Sequence, residues 1–551
     1  MRRAGVLMAA GLLVVLGCVG LRTSSDQESG DQRPLLLQGV GQCSFPATTS
    51  APRVQAYIDQ GICMIHGYWY YEAWRSFREA ARLDSTCAIA YWGMHQSLVG
   101  NNSNRTARRQ ALRRAQSLMG GASSREQGYI RAAVLLDSLP RQEGRPAFIE
   151  AMETLAQQYP EDVEAPVFLA RYLMRGFDFD QPVQPGEPDL RPLLSRLIES
   201  HPRHPAPHHY WIHLVEAKHP DQGLESARHL EELVWNAGHL VHMPGHIYYR
   251  LGQYERARQS FIASMKVDST YMAVQGVAPE RTWNYVHNLN YLLATCAEEG
   301  RYREGLQWAR RLQAVPLSKR KSLFFYQGRL ALPRLHIRLG LWGAAARELA
   351  AIAANDTLTN TFAAEYARGM EAYARGMEAV QTGTVEVAEQ QLKVLAEFEW
   401  VYAIEGPPSD DIFYTRRRLD LLGVARLDLK GNMHRAKGEY PQARQVLEEA
   451  WEKAEELGYD EPPLYARSVL ESLGYARLEA GAWQEAVAAF QRQLARRPGS
   501  GLALFGLAQA YQAGKQRQEA AQTYRAFLTR WATADVHLEQ VKKAQAWLAD
   551  Q

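Results

Sequence analysis

The stretch Gly481-Ala482-Trp483-Gln484-Glu485-Ala486-Val487-Ala488-Ala489-Phe490, followed by Pro498, decides the fold. Its form is Gly-x-Tyr/Trp-x-x-Ala-x-x-x-(bulky apolar), and it recurs. Gly252-Gln253-Tyr254 leads to Ala257 and Phe261, and Gly300-Arg301-Tyr302 to Trp308. Gly340-Leu341-Trp342 leads to Ala345 and Leu349, and Gly438-Glu439-Tyr440 to Ala443 and Leu447. The tract Tyr71-Glu72-Ala73-Trp74-Arg75-Ser76-Phe77-Arg78-Glu79-Ala80 is another copy. From residue 50 onward apolar residues recur at helical spacing, and alternating β-branched runs are scarce. Such self-similarity marks an array in which each unit buries its apolar face on its neighbours. The pattern predicts an all-α solenoid of helical hairpins, about ten units with some degenerate. Ala486 to Ala520 is 34 residues, Ala257 to Gly305 is 48 and Ala388 to Ala443 is 55, so several units carry longer helices or loops.

The chain has 551 residues, too many for one ordinary core. An apolar fraction of 46% and a charged fraction of 22% exclude disorder throughout. The net charge is +3, and Arg2 and Arg3 lie in a segment expected to be removed. The remaining chain, near 3 − 2 = +1, has no global field for nucleic acid or anionic lipid. Five cysteines exclude a disulfide-built scaffold. Cys43, Cys63 and Cys87 lie close enough in sequence to leave an oxidised pair open after export, and Cys296 sits in an apolar helix. There is no Gly-x-Ser-x-Gly elbow, no phosphate-cradling glycine loop and no Cys-x-x-Cys.

Residues 1–18 read as a targeting signal. Arg2 and Arg3 precede the apolar run Ala4 to Leu16, which is short for a bilayer span of roughly twenty residues. The ending Val15-Leu16-Gly17-Cys18 resembles the bacterial lipobox, which implies lipidation of Cys18 and anchoring in the cell envelope. Residues 19–48 are polar and read as a flexible tether. The array is expected to divide into 49–315 and 316–551.

The repeated unit resembles the tetratricopeptide repeat, a 34-residue pair of antiparallel helices. The resemblance implies that Gly and Ala stand where the two helices cross, that Phe or Tyr fills the next gap, and that Pro stops the second helix. Residues 45–315 also resemble a group of bacterial exported tetratricopeptide-repeat proteins. The matching stretches are Arg75-Ser76-Phe77-Arg78-Glu79-Ala80, Ala90-Tyr91-Trp92-Gly93, Arg125-Glu126-Gln127-Gly128-Tyr129-Ile130, His209 to Glu216, and Gly238 to Tyr248. In that group a histidine often stands where this chain has Tyr70 and Asn290. The resemblance implies the fold and export and names no reaction.

Histidine is the one chemical signal: ten of sixteen fall between His201 and His246. His209 and His213 are i, i+4 on a predicted helix, so both imidazoles leave one face, and Glu216 follows three residues on. His242 and His246 repeat that spacing, with His239 three residues before. In the register of the repeat, His239, His242 and His246 take positions 2, 5 and 9 of a first helix, and His287 takes position 2 of the next. In the resembled family those positions line the concave groove where a peptide or protein partner binds. Pro244 suggests that the helix starts near Met243, with His239 and His242 on the entering turn. The set His209, His213, His239, His242, His246, His287 and Glu216 suits a transition metal, Zn, Cu, Fe or Ni, by its imidazole-rich donors. A hydrogen-bonded imidazole ladder or a His-rich peptide groove are the competing readings. His208 faces away from the pair, and His66, His95, His336 and His434 read as structural. The run Tyr68-Trp69-Tyr70-Tyr71 reads mainly as repeat core, and Arg416-Arg417-Arg418 as a solvated helix face. The expected function is an envelope-anchored scaffold for a peptide or protein partner; the alternative is a metal-dependent hydrolytic or oxidative enzyme.

Overall fold

The computed structural model describes residues 33–99, 104–174, 180, 183–184, 186–316, 325–354, 361–405, 412–463 and 467–551. The expected signal and Cys18 lie outside these residues. The described chain is helical with no strand, and consecutive helices pair as antiparallel hairpins. None of the described helices is long and apolar enough to cross a membrane.

The repeat residues do what their spacing requires. A Cβ on Gly93 would meet the Phe77 ring at 2.2 Å, one on Gly245 would meet Phe261 at 2.4 Å, and one on Gly506 would meet Phe490 at 2.3 Å. Each phenylalanine is fully buried, so the helices touch because glycine leaves room for the ring. Ala73, Ala257, Ala345, Ala443 and Ala486 are likewise fully buried. The glycine that opens each copy closes the preceding helix: Gly252, Gly300, Gly340, Gly438 and Gly481 all have φ between 68° and 78°. That left-handed conformation costs an L residue roughly 1–2 kcal/mol. Helices also pair among the described residues between 88 and 200, where copies of this signature are missing.

Two compact units result. The first takes residues up to 248 with 259–285; the second takes 249–258 with 286–551. The expected boundary at 315 therefore falls inside the second unit.

Of the expected tether, 19–48, residues 19–32 lie outside the described residues. Residues 33–48 pack on the first unit because they carry core residues and polar anchors. Phe45 is fully buried and stacks on Trp92, with ring centroids 5.4 Å apart. The Leu37 N–H donates to Gln60 Oε1 at 2.6 Å, and Gln60 Nε2 donates to the Leu35 carbonyl at 2.9 Å. Cys43 and Cys63 form a disulfide, while Cys87 and Cys296 are buried thiols. In the second unit, Arg416 is exposed as on a solvated face, while Arg417 and Arg418 turn inward. Arg417 donates to the Leu457 carbonyl at 2.8 Å, and buried Arg418 lies 5.7 Å from the Tyr366 ring centroid.

Candidate metal centre

The helix Pro205–Val215 starts where His204 Nδ1 accepts the Ala206 N–H at 3.3 Å and Pro205 pre-sets the first turn. One turn apart on it, His209 and His213 point inward and are 0% and 2% exposed. Glu216 caps its C-terminal end and is fully buried. The second helix runs Gly238–Arg250 without a break, so Pro244 lies inside it and His239 and His242 are helical after all. Proline there removes only the one N–H that would have bonded to Leu240, and the buried faces on both sides hold the helix together. His239, His242 and His246 are all buried.

These imidazoles sort into two sets. His209, His213 and His239 form the first, each offering one ligand nitrogen within 4.8 Å of the other two. In all three, Nδ1 is engaged by an oxygen. His209 Nδ1–H donates to the His66 carbonyl at 2.7 Å, His213 Nδ1–H to Glu216 Oε1 at 2.7 Å, and His239 Nδ1–H to Asn284 Oδ1 at 3.3 Å. That fixes the tautomer and turns the Nε2 lone pair toward the shared space, as the outer contacts of metal-bound histidines do. His209 Nε2 is buried with no hydrogen-bond partner among the described residues. Three nitrogens on one zinc stand about 3.4 Å apart, a spacing inside the 4.8 Å within which these three lie. Burial, aided by the neighbouring His213, pushes the His209 pKa well down and keeps that ring neutral.

The second set is His242 and His246, whose Nε2 atoms meet at 2.5 Å. His246 Nδ1 is bonded to Glu216 Oε2. Glu216 thus gives one oxygen to each set. Burial alone would raise its pKa, but His246 and His213 outweigh this and hold the carboxyl well below the usual range. Ring centroids of the two sets come as close as 5.8 Å, His239 to His242, and 6.2 Å, His213 to His246.

The structure places His287 in the second unit, where its Nε2 stands 3.6 Å from Glu461 Oε2. Asn290 accepts Arg334 Nη1–H at 2.9 Å in that unit, while Tyr70 Oη in the first accepts from Arg171 at 3.4 Å. His208 does face away, bonded to Ser226 Oγ at 3.1 Å and the Pro202 carbonyl at 2.9 Å. His66 is more than an isolated filler. It and His204 both bond to fully buried Glu164, at 2.8 and 3.1 Å. Burial raises the Glu164 pKa, and the two imidazoles outweigh that to bring it to about 2. Cys43 joins Glu164 and His204 in a further donor cluster, but its sulfur is committed to the disulfide.

The histidines are buried, with His239 alone among those named at the wall of a cleft, and Tyr68 is one reason. It stands at the place in its hairpin where later repeats have the left-handed glycine, and it takes φ +54° all the same. Its ring packs on all three members of the first set, at 4.5 Å from His209, 5.7 Å from His213 and 5.5 Å from His239. Sequence reasoning treated Tyr68 as repeat core; the missing glycine in the copy Gly67-Tyr68-Trp69-Tyr70 was the available signal. Beside it, Tyr68, Trp69, Tyr71, Asp268 and Trp283 line a cleft whose wall includes His239.

Two family models match, both described as tetratricopeptide repeat, over residues 469–502 and 502–541. Among curated proteins none matches the chain. Solved structures that align include yeast Tom70, at 13% identity and TM-score 0.30, covering 90% of this chain and 95% of that one. The APC/C hetero-tetramer Cut9–Hcn1 aligns at 11% identity and TM-score 0.25, covering 90% and 97%.

Proposed function

We propose that this chain, a tetratricopeptide-repeat protein by the match over residues 469–541, is an exported, lipid-anchored scaffold for a peptide or protein partner that holds a transition metal in its first unit. The observation that carries the metal is the convergence of His209, His213 and His239, each with Nδ1 tied to an oxygen. Three buried imidazoles aimed at one point form a donor set for Zn, Cu, Fe or Ni. The ion would join the helices Pro205–Val215 and Gly238–Arg250 to the Tyr68 turn, and so fix the surface that the repeats offer. Stacked helical repeats characteristically present such surfaces to partners. Export is supported by the Arg2-Arg3 start, the short apolar run and Gly17-Cys18, and by the Cys43–Cys63 disulfide, which suits an oxidising compartment.

A second reading, metal-dependent hydrolytic or oxidative catalysis, is favoured by one observation. Three protein ligands leave a coordination position open, and His239 borders the cleft. Thermal unfolding with and without a chelator tests the metal reading. Wild type should lose stability on chelation and regain it with Zn2+, and the His209→Gln/His213→Gln variant should respond to neither. Equal melting of wild type in all three conditions would count against it. Turnover screens on the metal-loaded protein then separate scaffold from enzyme.

A further inference from the structure

Glu216 prepares two histidines in the same manner, and only one of them belongs to the first set. Its Oε1 takes the Nδ1 proton of His213 and its Oε2 bonds Nδ1 of His246. A carboxylate on Nδ1 fixes the tautomer, orients the ring and makes Nε2 a better donor. For His213, Nε2 then faces His209 and His239. For His246, Nε2 faces the Nε2 of His242, one helical turn away on the same helix.

With the Nδ1 proton of His246 on Glu216, His246 Nε2 carries a lone pair, and a single proton on His242 Nε2 fills the 2.5 Å contact between them. An ion would take the place of that proton, the two nitrogens parting to about 3.4 Å as two ligands of one zinc do. The i, i+4 spacing is the one by which a single helix gives two imidazoles to one ion. His242 also packs its ring on Phe261, at 4.8 Å between centroids, which holds its aim.

We infer that His242 and His246 form a second metal position, so that the first unit carries a two-ion centre with Glu216 orienting a ligand of each ion. This rests on the reading of His209, His213 and His239 as the first position. The donors at the second are imidazoles without thiolate, which suits late first-row ions and not Ca2+ or Mg2+. A pair of ions on neighbouring imidazole sets is the arrangement that clamps a small anionic or oxygen ligand from two sides.

The test is a titration of full-length metal-free protein with Co2+, followed by its visible ligand-field bands, and in parallel with Zn2+, read by plasma mass spectrometry after desalting. The inference predicts saturation at two equivalents for wild type. It predicts one equivalent for His242→Gln/His246→Gln and one for His209→Gln/His213→Gln. It also predicts magnetic coupling in the two-cobalt protein that neither variant has. Circular dichroism melting confirms that each variant is folded, and the wild-type stoichiometry decides even where a variant is not. Saturation of wild type at one equivalent overturns the second position and leaves the first standing. Failure of wild type to bind either ion overturns both.

Discussion

The hairpins that carry the histidines and those at the C-terminal end are built alike and filled differently. In the helices Gly238–Arg250 and Tyr254–Gln275, Gly245 admits Phe261; in Val469–Glu479 and Trp483–Arg496, Gly474 admits Phe490. Around that shared contact, the C-terminal repeats bury Leu470, Leu473, Ala503 and Ala508 with one carboxylate, Glu471, that is paired with Arg338, whereas the first unit buries four imidazoles, His209, His213, His242 and His246, around Glu216. The buried histidines and carboxylate cost desolvation that the fold does not require, so their reason lies elsewhere.

The largest break of this comparison is Phe490→Ala. Emptying that gap should cost about 3–5 kcal/mol in denaturant unfolding of the second unit. Metal content should be untouched; a loss of metal would mean that the two units are not separable in function. Next comes Glu216→Gln, which removes the charge that orients His213 and His246. Metal affinity should weaken about 10- to 100-fold in a competition titration, with the helices retained by circular dichroism.

Two buried groups, His66 in the first unit and Glu299 in the second, should respond to acid in opposite senses. In the first, burial lowers the His66 pKa in spite of Glu164, so below its ordinary 6.5 the unfolded chain takes up a proton that the folded one refuses. Glu164, ordinarily 4.5 and about 2 when folded, adds a second loss as pH falls from 4.5 toward 2. In the second unit, burial raises Glu299 from 4.5 to about 7, so the folded state holds a proton that the unfolded one releases. Each contribution is read by difference, since His336 in the second unit is also held down by burial and opposes Glu299. On lowering the pH from 7 to 5, wild type should lose protection around residues 164–173 relative to His66→Gln and gain it around 286–298 relative to Glu299→Gln, by hydrogen exchange with mass spectrometry corrected for intrinsic rates; no difference from either variant would contradict this. The smallest effect is expected for Gly481→Ala, about 1 kcal/mol by thermal melting, since alanine must enter the left-handed region.

The fold was legible where glycine, alanine and phenylalanine fall at fixed intervals, because those residues are the helix crossing itself. Between residues 88 and 200 it was legible only from helical spacing and the resemblance, because after Gly93 other side chains fill the crossings, as Leu155 does against Gly128. Helical spacing was enough to put His209 with His213 and His242 with His246. It could not sort them into two sets, since that depends on which oxygen each Nδ1 reaches: the His66 carbonyl is 143 residues from His209, and Asn284 is 45 from His239. Tyr68 went unread for a related reason. Its role shows only when an absent glycine is weighed as heavily as a present one.

Whether the first unit holds an ion is read from the metal content of untagged wild-type protein, purified without chelator and measured by plasma mass spectrometry beside His209→Ala/His213→Ala. Wild type should carry at least one equivalent of a transition metal, and the folded variant should have lost at least one. Metal-free wild type that stays metal-free after exposure to Zn2+ and Cu+ would contradict it.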